Sequence, residues 1–366
     1  MREPPPNCLL VAARDPGAAN VLTGFLSSWD SDLAGGVRIW SMGKATPLFA
    51  TLGLPITEFD EDVAFDDLAE SWQAVGPAAV LTGSSHYTPF EAHLWTLSER
   101  DGIESLCWID YWSHLGQRFR YGKPPRVVAL DEGQAEQLTG HGFGRDRILV
   151  GGHPALRALA RRSRVGRRPD RSDGPLRCLF VSERFHGDVS DGLIPDPGFD
   201  EVDSFRLVHE AALAEAHGGR KITLTVKFHP YEETERFRAV ADRMPTDPRL
   251  ELTFAPPAER LPALLPDQDL VFGMCSIGLI EALLLGLPAK SVQPNRRGPE
   301  MFPPAASGYV PGETDPARLV AQCRALIASE EKRRDLMILY RPFLDSIARE
   351  PTAVIEWVET NLKRPA

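Results

Sequence analysis

Leu270-Val271-Phe272-Gly273-Met274-Cys275-Ser276-Ile277-Gly278-Leu279-Ile280-Glu281-Ala282-Leu283 reads as a buried strand, a short turn and a helix. The apolar run stops at Gly273, and Ser276 stands where a helix N-cap belongs. A strand that is apolar throughout, without alternation, is buried on both faces. That is the mark of a parallel sheet with helices on either side.

The same unit recurs in both directions. In the second half, strands are expected at Arg177–Val181, Lys221–Phe228, Leu250–Phe254 and Ala289–Val292, alternating with amphipathic stretches such as Phe205–His217 and Phe237–Met244. Three helices, Pro316–Ala328, Glu330–Tyr340 and Thr352–Leu362, finish the chain. The first half repeats the pattern, with strands at Leu9–Ala12, Val37–Ser41, Ile56–Phe59, Ala79–Leu81, Ser105–Ile109, Arg126–Leu130 and Arg147–Val150. Such βαβ repetition predicts an α/β protein of two doubly wound, Rossmann-like domains. Between them, Arg161, Arg162, Arg164, Arg167, Arg168 and Arg171 stand among Pro169, Gly174 and Pro175, the composition of a solvated linker. The expected division is 1–164, a linker 165–176, a second domain 177–345 and a terminal helix in 346–366 that packs back on the first domain. The length of 366 residues fits two cores rather than one.

A net charge of -10 argues against non-specific nucleic-acid binding, which needs a basic footprint. The five cysteines, Cys8, Cys107, Cys178, Cys275 and Cys323, form no Cys-x-x-Cys pair and have no histidines at zinc spacing. They read as buried thiols of a cytoplasmic protein, with no metal site. The apolar run from Cys8 to Ala13 is too short for a signal peptide, and no stretch approaches the ~20 apolar residues of a membrane span. Peripheral membrane contact stays compatible with the sequence, and the oligomeric state is open.

Ligands of open α/β sheets bind outside the carboxyl ends of the strands, so the residues just after each strand carry the functional signal. Gly273 and Ser276 lead into a helix N-terminus, whose free N–H groups attract anions. Glu281 lies within the otherwise apolar Gly278–Leu287 and is placed to take the hydroxyls of a ribose; the alternative is an N-capping serine and a solvated glutamate. Lys227 and His229 end one strand on the same side, before Pro230, and offer a cation and an imidazole to a pyrophosphate or sugar. Arg184 follows another strand and could grip a phosphate with two donors. The segment from His186 to Asp203 has no periodicity and is expected as a long substrate-facing loop. In the first half, Asp15 after the first strand and Asp110 after the fifth are the candidate general bases, with Gly83-Ser84-Ser85-His86 and Tyr111-Trp112-Ser113-His114 beside them.

Gly151-Gly152-His153-Pro154 after a strand, Lys227-x-His229-Pro230, and Gly273-x-x-Ser276 followed by Glu281-Ala282-Leu283 together resemble the GT-B glycosyltransferase superfamily. The resemblance is strongest to bacterial capsule and polysaccharide transferases, CDP-glycerol glycerophosphotransferases and UDP-N-acetylglucosamine 2-epimerase. It implies two domains facing across a cleft. The C-terminal one would hold a nucleotide-sugar donor with Arg184, Lys227, His229, Gly273, Ser276 and Glu281. The N-terminal one would bind a glycan or surface-polymer acceptor and supply the base. No cofactor beyond the donor is implied. No Asp-x-Asp follows a suitable strand, so a metal-independent transfer is expected; an epimerase, a hydrolase or a non-catalytic binding protein on the same fold are the rival readings. The chain departs from many GT-B enzymes after its first strand, where Asp15-Pro16-Gly17 replaces a Gly-His pair. Asp131-Glu132-Gly133, His229-Pro230 and Ser276 also follow the order found in bacterial sialyltransferases, but Asp131 is placed to cap a helix.

Overall fold

A computed structural model describes residues 8–29, 36–85, 88–112, 115–163, 174–229 and 232–363. Most of the expected arginine-rich linker, together with His86, Ser113, His114 and Pro230, lies outside the described residues. The chain forms two compact units, Met1–Ala158 with Asp345–Ala366, and Leu159–Leu344.

The first unit is built on seven strands: β1 (Cys8–Ala13), β2 (Val37–Met42), β3 (Ile56–Phe59), β4 (Pro77–Thr82), β5 (Glu104–Trp108), β6 (Arg126–Ala129) and β7 (Ile148–Val150). They pair in parallel in the order β3-β2-β1-β4-β5-β6-β7. The strand order reverses between β1 and β4, where Val11 sits in register with Leu81. All six residues of β1 are buried, as a strand covered on both faces must be. Trp40, Trp72, Phe90 and Leu94 fill one layer against it.

Gly151-Gly152-His153-Pro154 anchors the returning chain within this unit. A side chain at Gly151 would strike Val128 and Trp108, and Gly152 has φ +67 with the Ile347 carbonyl against it. The Trp108 indole donates to the Gly152 carbonyl at 3.1 Å, and the His153 N–H donates to Ile347 O at 2.9 Å. Burial lowers the His153 imidazole to about 4, so it is neutral, and its Nδ1 accepts the Leu156 N–H. Arg157 pairs with Glu350 at 2.5 Å. The helix Thr352–Leu362 buries Val354 and Val358 in the same unit.

The second unit holds β8 (Leu176–Val181), β9 (Ile222–Lys227), β10 (Leu250–Phe254), β11 (Leu270–Gly273) and β12 (Ala289–Ser291), parallel in the order β10-β9-β8-β11-β12. The order reverses between β8 and β11. Phe180 pairs in register with Phe272 on one side and Val226 on the other, and it meets Phe205 edge to face in the core. The helix Glu201–His217 starts on a capping box between Asp200 and Asp203. Among the described residues no helix is long and apolar enough to cross a membrane.

Candidate functional site

Each unit gathers polar side chains at the carboxyl ends of the two strands where its strand order reverses. In the second unit these strands are β8 and β11. Gly273 is required by their close approach, because a Cβ there would lie 2.9 Å from the Val181 carbonyl. The helix Ile277–Leu284 follows, with Ser276 as its N-cap accepting the Gly278 N–H at 3.2 Å. The N–H groups just before it are already taken. Glu183, directly after β8, accepts the N–H of Cys275 at 2.7 Å and of Ser276 at 3.0 Å, and the Cys275 thiol at 3.3 Å. Burial pushes the Glu183 carboxyl up, and these hydrogen bonds pull it part of the way back.

Glu281 is one turn further along that helix. Desolvation raises its carboxyl, and among the described residues no side chain or N–H answers it. Lys227 ends β9, is 9% exposed, and donates to the Pro257 carbonyl at 3.3 Å. His229, whose surface is largely open, gives its backbone N–H to Glu232 at 3.0 Å, and partial desolvation of its ring, with Arg184 and Lys227 nearby, lowers its imidazole. Glu232 also accepts the Ser182 hydroxyl at 2.7 Å, and desolvation raises its carboxyl to about 7. Glu201 and Glu183 repel it further. Arg184 points into its own segment, bound to Asp188 at 2.9 Å and Asp191 at 2.6 Å, over Gly187 where any side chain would collide with it. The stretch expected as an irregular loop contains a short helix, Phe185–Ser190, and borders a cavity of ≈ 330 Å³ lined by Phe185, His186, Phe199, Asp200, Asp203 and Arg297.

In the first unit the reversal lies between β1 and β4. Asp15 precedes the helix Pro16–Ser28 and pairs with Arg14 at 2.8 Å; burial raises its carboxyl, and Arg14 opposes the shift. Asp110, after β5, is ion-paired with the buried Arg118, which also donates to the Ser84 hydroxyl at 2.9 Å. Its other oxygen lies against Gly17, and its charge is felt at Asp15. Both candidate bases therefore flank one helix end. Between the strands, Glu91 takes the Arg14 N–H at 3.1 Å and the Ser85 hydroxyl at 2.5 Å. Trp112 donates to Asp131, which caps the next helix by accepting the Gln134 N–H.

Glu183, Glu232, Glu91 and Arg118 escaped the sequence reading. Glu183 and Glu232 each stand beside a residue that was singled out, Arg184 and His229, so position after a strand could have found them. Glu91 and Arg118 sit inside helices and gave no such signal. All five cysteines are buried and free. Among the described residues no group of three or more His, Cys, Asp or Glu is arranged to hold a metal ion.

No protein-family model matches the chain, and no curated protein matches it by sequence. Solved structures match it closely in shape. UDP-GlcNAc 2-epimerase from Neisseria meningitidis bound to UDP-GlcNAc superposes with a TM-score of 0.65 at 12% identity, over 96% of this chain and 99% of that one. Anabaena Alr3699/HepE in complex with UDP and glucose gives 0.61 at 11% identity, over 97% and 99%. A glycosyltransferase from Rickettsia africae gives 0.61 at 11% identity, over 99% and 100%. With its two parallel, doubly wound sheets, the chain has the GT-B fold.

Proposed function

We propose that the chain is an enzyme acting on nucleotide-sugars, and that it transfers the sugar to a hydroxyl of a glycan or surface-polymer acceptor. The observation that carries this reading is Glu281: a half-buried, desolvated carboxylate that meets no side-chain or N–H partner among the described residues, one turn into the helix that follows β11 at the strand-order reversal. Leaving such a group unpaired costs stability, so its retention argues for a ligand that pairs it. The two hydroxyls of a ribose fit one carboxylate. Structures of the same fold carrying UDP or UDP-GlcNAc support a nucleotide as that ligand.

In this reading Lys227 and His229 neutralise the diphosphate. A phosphate reaches the N–H groups of Cys275 and Ser276 by displacing Glu183. Arg184 assists only after exchanging Asp188 or Asp191 for the ligand. Asp15 is the base, because burial makes it a stronger proton acceptor than a surface aspartate, while Asp110 is tied to buried Arg118. The acceptor oxygen bonds to the sugar's anomeric carbon as the bond to the diphosphate breaks, and Asp15 takes the hydroxyl proton. We assign no metal to this step.

A second reading, epimerisation or hydrolysis of the nucleotide-sugar, is favoured by the crowding of Asp15, Asp110 and Glu91 at one strand-order reversal. Such a set suits proton removal and return on a single sugar. Thermal-shift screening against UDP-, CDP-, GDP- and CMP-linked sugars tests the shared premise, and absence of stabilisation by every one of them removes it. With a stabilising donor in hand, deuterium uptake into the sugar without acceptor marks the epimerase. Sugar transfer that needs an added acceptor marks the transferase.

A further inference from the structure

We propose that Glu91 is the positioning residue of the first unit's site, holding Asp15 in place through the Arg14 backbone and setting which way the Ser85 hydroxyl donates. The chemical role given to Asp15 rests on the function proposed above; the geometry of Glu91 does not.

Glu91 lies in the first turn of the helix Phe90–Asp101, which follows β4, and is 1% exposed. It spans the strand-order reversal. One carboxylate oxygen accepts the N–H of Arg14, which leaves β1, and the other accepts the hydroxyl of Ser85, which leaves β4. The Arg14 side chain in turn holds Asp15 and Glu61, each at 2.8 Å. One buried carboxylate thus fixes the peptide whose next residue is Asp15.

Among the described residues, the groups facing Glu91 are Arg14 and Asp15 from the end of β1, Ser85 from the loop after β4, the Cys107 thiol from β5, and its own backbone amide. Burial outweighs the donors and raises the carboxyl to about 7, with Asp15 adding to the rise. Its charge therefore changes near neutrality. When ionised, Glu91 accepts from both neighbours, and Ser85 turns its hydroxyl proton inward. When protonated, it donates to Ser85 Oγ, the closer partner. The Ser85 proton is then released towards other acceptors, and the Arg14 amide faces a neutral oxygen. Charge-assisted hydrogen bonds are roughly twice as strong as neutral ones, so the loop carrying Asp15 tightens as pH rises.

Glu91→Gln copies the shape of the protonated side chain and keeps an oxygen for Arg14 and a donor for Ser85. Amide hydrogen exchange of the full chain, corrected for intrinsic rates between pH 5.5 and 8.5, reads the bond at residue 14. The parent is expected to gain roughly fivefold protection through a midpoint near 7, and E91Q to stay flat at the low-pH value. Ser85→Ala removes a donor that favours the carboxylate, so its midpoint moves upward. A parent without the step, a step that persists in E91Q, or an S85A midpoint that stays put or falls each overturns the assignment. If the step appears in a chain that binds no nucleotide-sugar, the functional reading falls and the role of Glu91 stands. Where turnover is measured, E91Q lowers kcat by roughly ten- to a hundredfold and loses the rise through pH 7, with KM little changed; unchanged kcat overturns the positioning role.

Discussion

The carboxylate of Glu183 accepts the backbone N–H of Ser276 at 3.0 Å, across 93 residues of sequence. The end of β8 therefore caps the helix that follows β11 with an internal anion. A helix N-terminus favours negative charge whatever its source, so this carboxylate and an incoming phosphate compete for the same donors.

Glu183→Ala should lower the stability of the ligand-free chain by about 1–2 kcal/mol, the usual cost of a lost helix cap, because the N–H groups of Cys275 and Ser276 lose their acceptor. The same variant should bind UDP or pyrophosphate more tightly than the parent, since the competing charge is gone. Urea unfolding and isothermal titration measure the two effects. Weaker diphosphate binding in E183A would mean that Glu183 touches the ligand instead of yielding to it.

Gly17 sits in the first turn of the helix Pro16–Ser28, where Gly→Ala ordinarily gains about 0.5–1 kcal/mol. Here the sign should reverse. A Cβ at position 17 would run into the Asp110 carboxylate and push it off Arg118. Overpacking of this kind costs about 1–3 kcal/mol. In a Gly17→Ala/Asp110→Ala double variant the penalty from position 17 should vanish, because the clashing carboxylate is absent. A double-mutant cycle by urea unfolding reads that coupling; an equal penalty in both backgrounds would place the clash elsewhere.

The strands were legible because strands buried on both faces leave unbroken apolar runs. Ile56–Phe59 and Leu250–Phe254 coincide with the expected ranges, and β1, β2 and β11 differ only at their ends. The helix Phe185–Ser190 was not legible. Its Gly187 and Ser190 are weak helix formers, and it is held by Arg184 folding back onto Asp188 and Asp191, a side-chain staple without a periodic pattern. In the site, Lys227, His229, Ser276 and Glu281 could be placed after strands by pattern alone. What the pattern could not give is which charges are already spoken for. Arg184 is bound by its own segment, the donors beside Ser276 by Glu183, and Asp110 by Arg118. Of these three pairings, that of Glu183 with Cys275 and Ser276 joins residues far apart in sequence. Glu91 looked like an ordinary acidic residue in a helix's first turn, and only folding brings Arg14, 77 residues away, onto it.

Glu281 should trade stability for binding. As a desolvated carboxylate without a partner among the described residues, it weakens the ligand-free fold, so Glu281→Gln should raise stability at pH 7 by about 1 kcal/mol. The same change should weaken nucleotide binding by roughly tenfold or more, since charge-assisted bonds to ribose hydroxyls become neutral ones. Thermal melts with and without nucleotide measure both effects. A variant less stable than the parent, with binding intact, would make Glu281 a structural residue.

The raised carboxyls also fix how stability varies with pH. Glu91 and Glu232 both move from 4.5 to about 7 on folding, so the folded chain binds their protons more tightly than the unfolded chain does. Stability from such groups is fully present below pH 4.5 and is lost as pH rises through 7. Asp101 works in the opposite sense: Arg100 holds its carboxyl down to about 2, so its contribution is present above its ordinary value near 3.8 and disappears below 2. Those two windows do not overlap, but buried His153, lowered from 6.5 to about 4, acts against the glutamates within the range from 4.5 to 7, so it is the comparison with a neutral variant that isolates Glu91. For Glu91 the shift corresponds to a change on the order of 3 kcal/mol across that window. Glu91→Gln stays neutral at every pH. Its stability relative to the parent should therefore grow steadily from pH 4.5 to 8, with most of the gain reached soon after 7. Urea unfolding of both proteins at half-unit steps follows that difference. A difference that stays constant with pH would show that Glu91 keeps an ordinary carboxyl in the folded chain, and the pH-dependent hold on Arg14 and Asp15 would go with it.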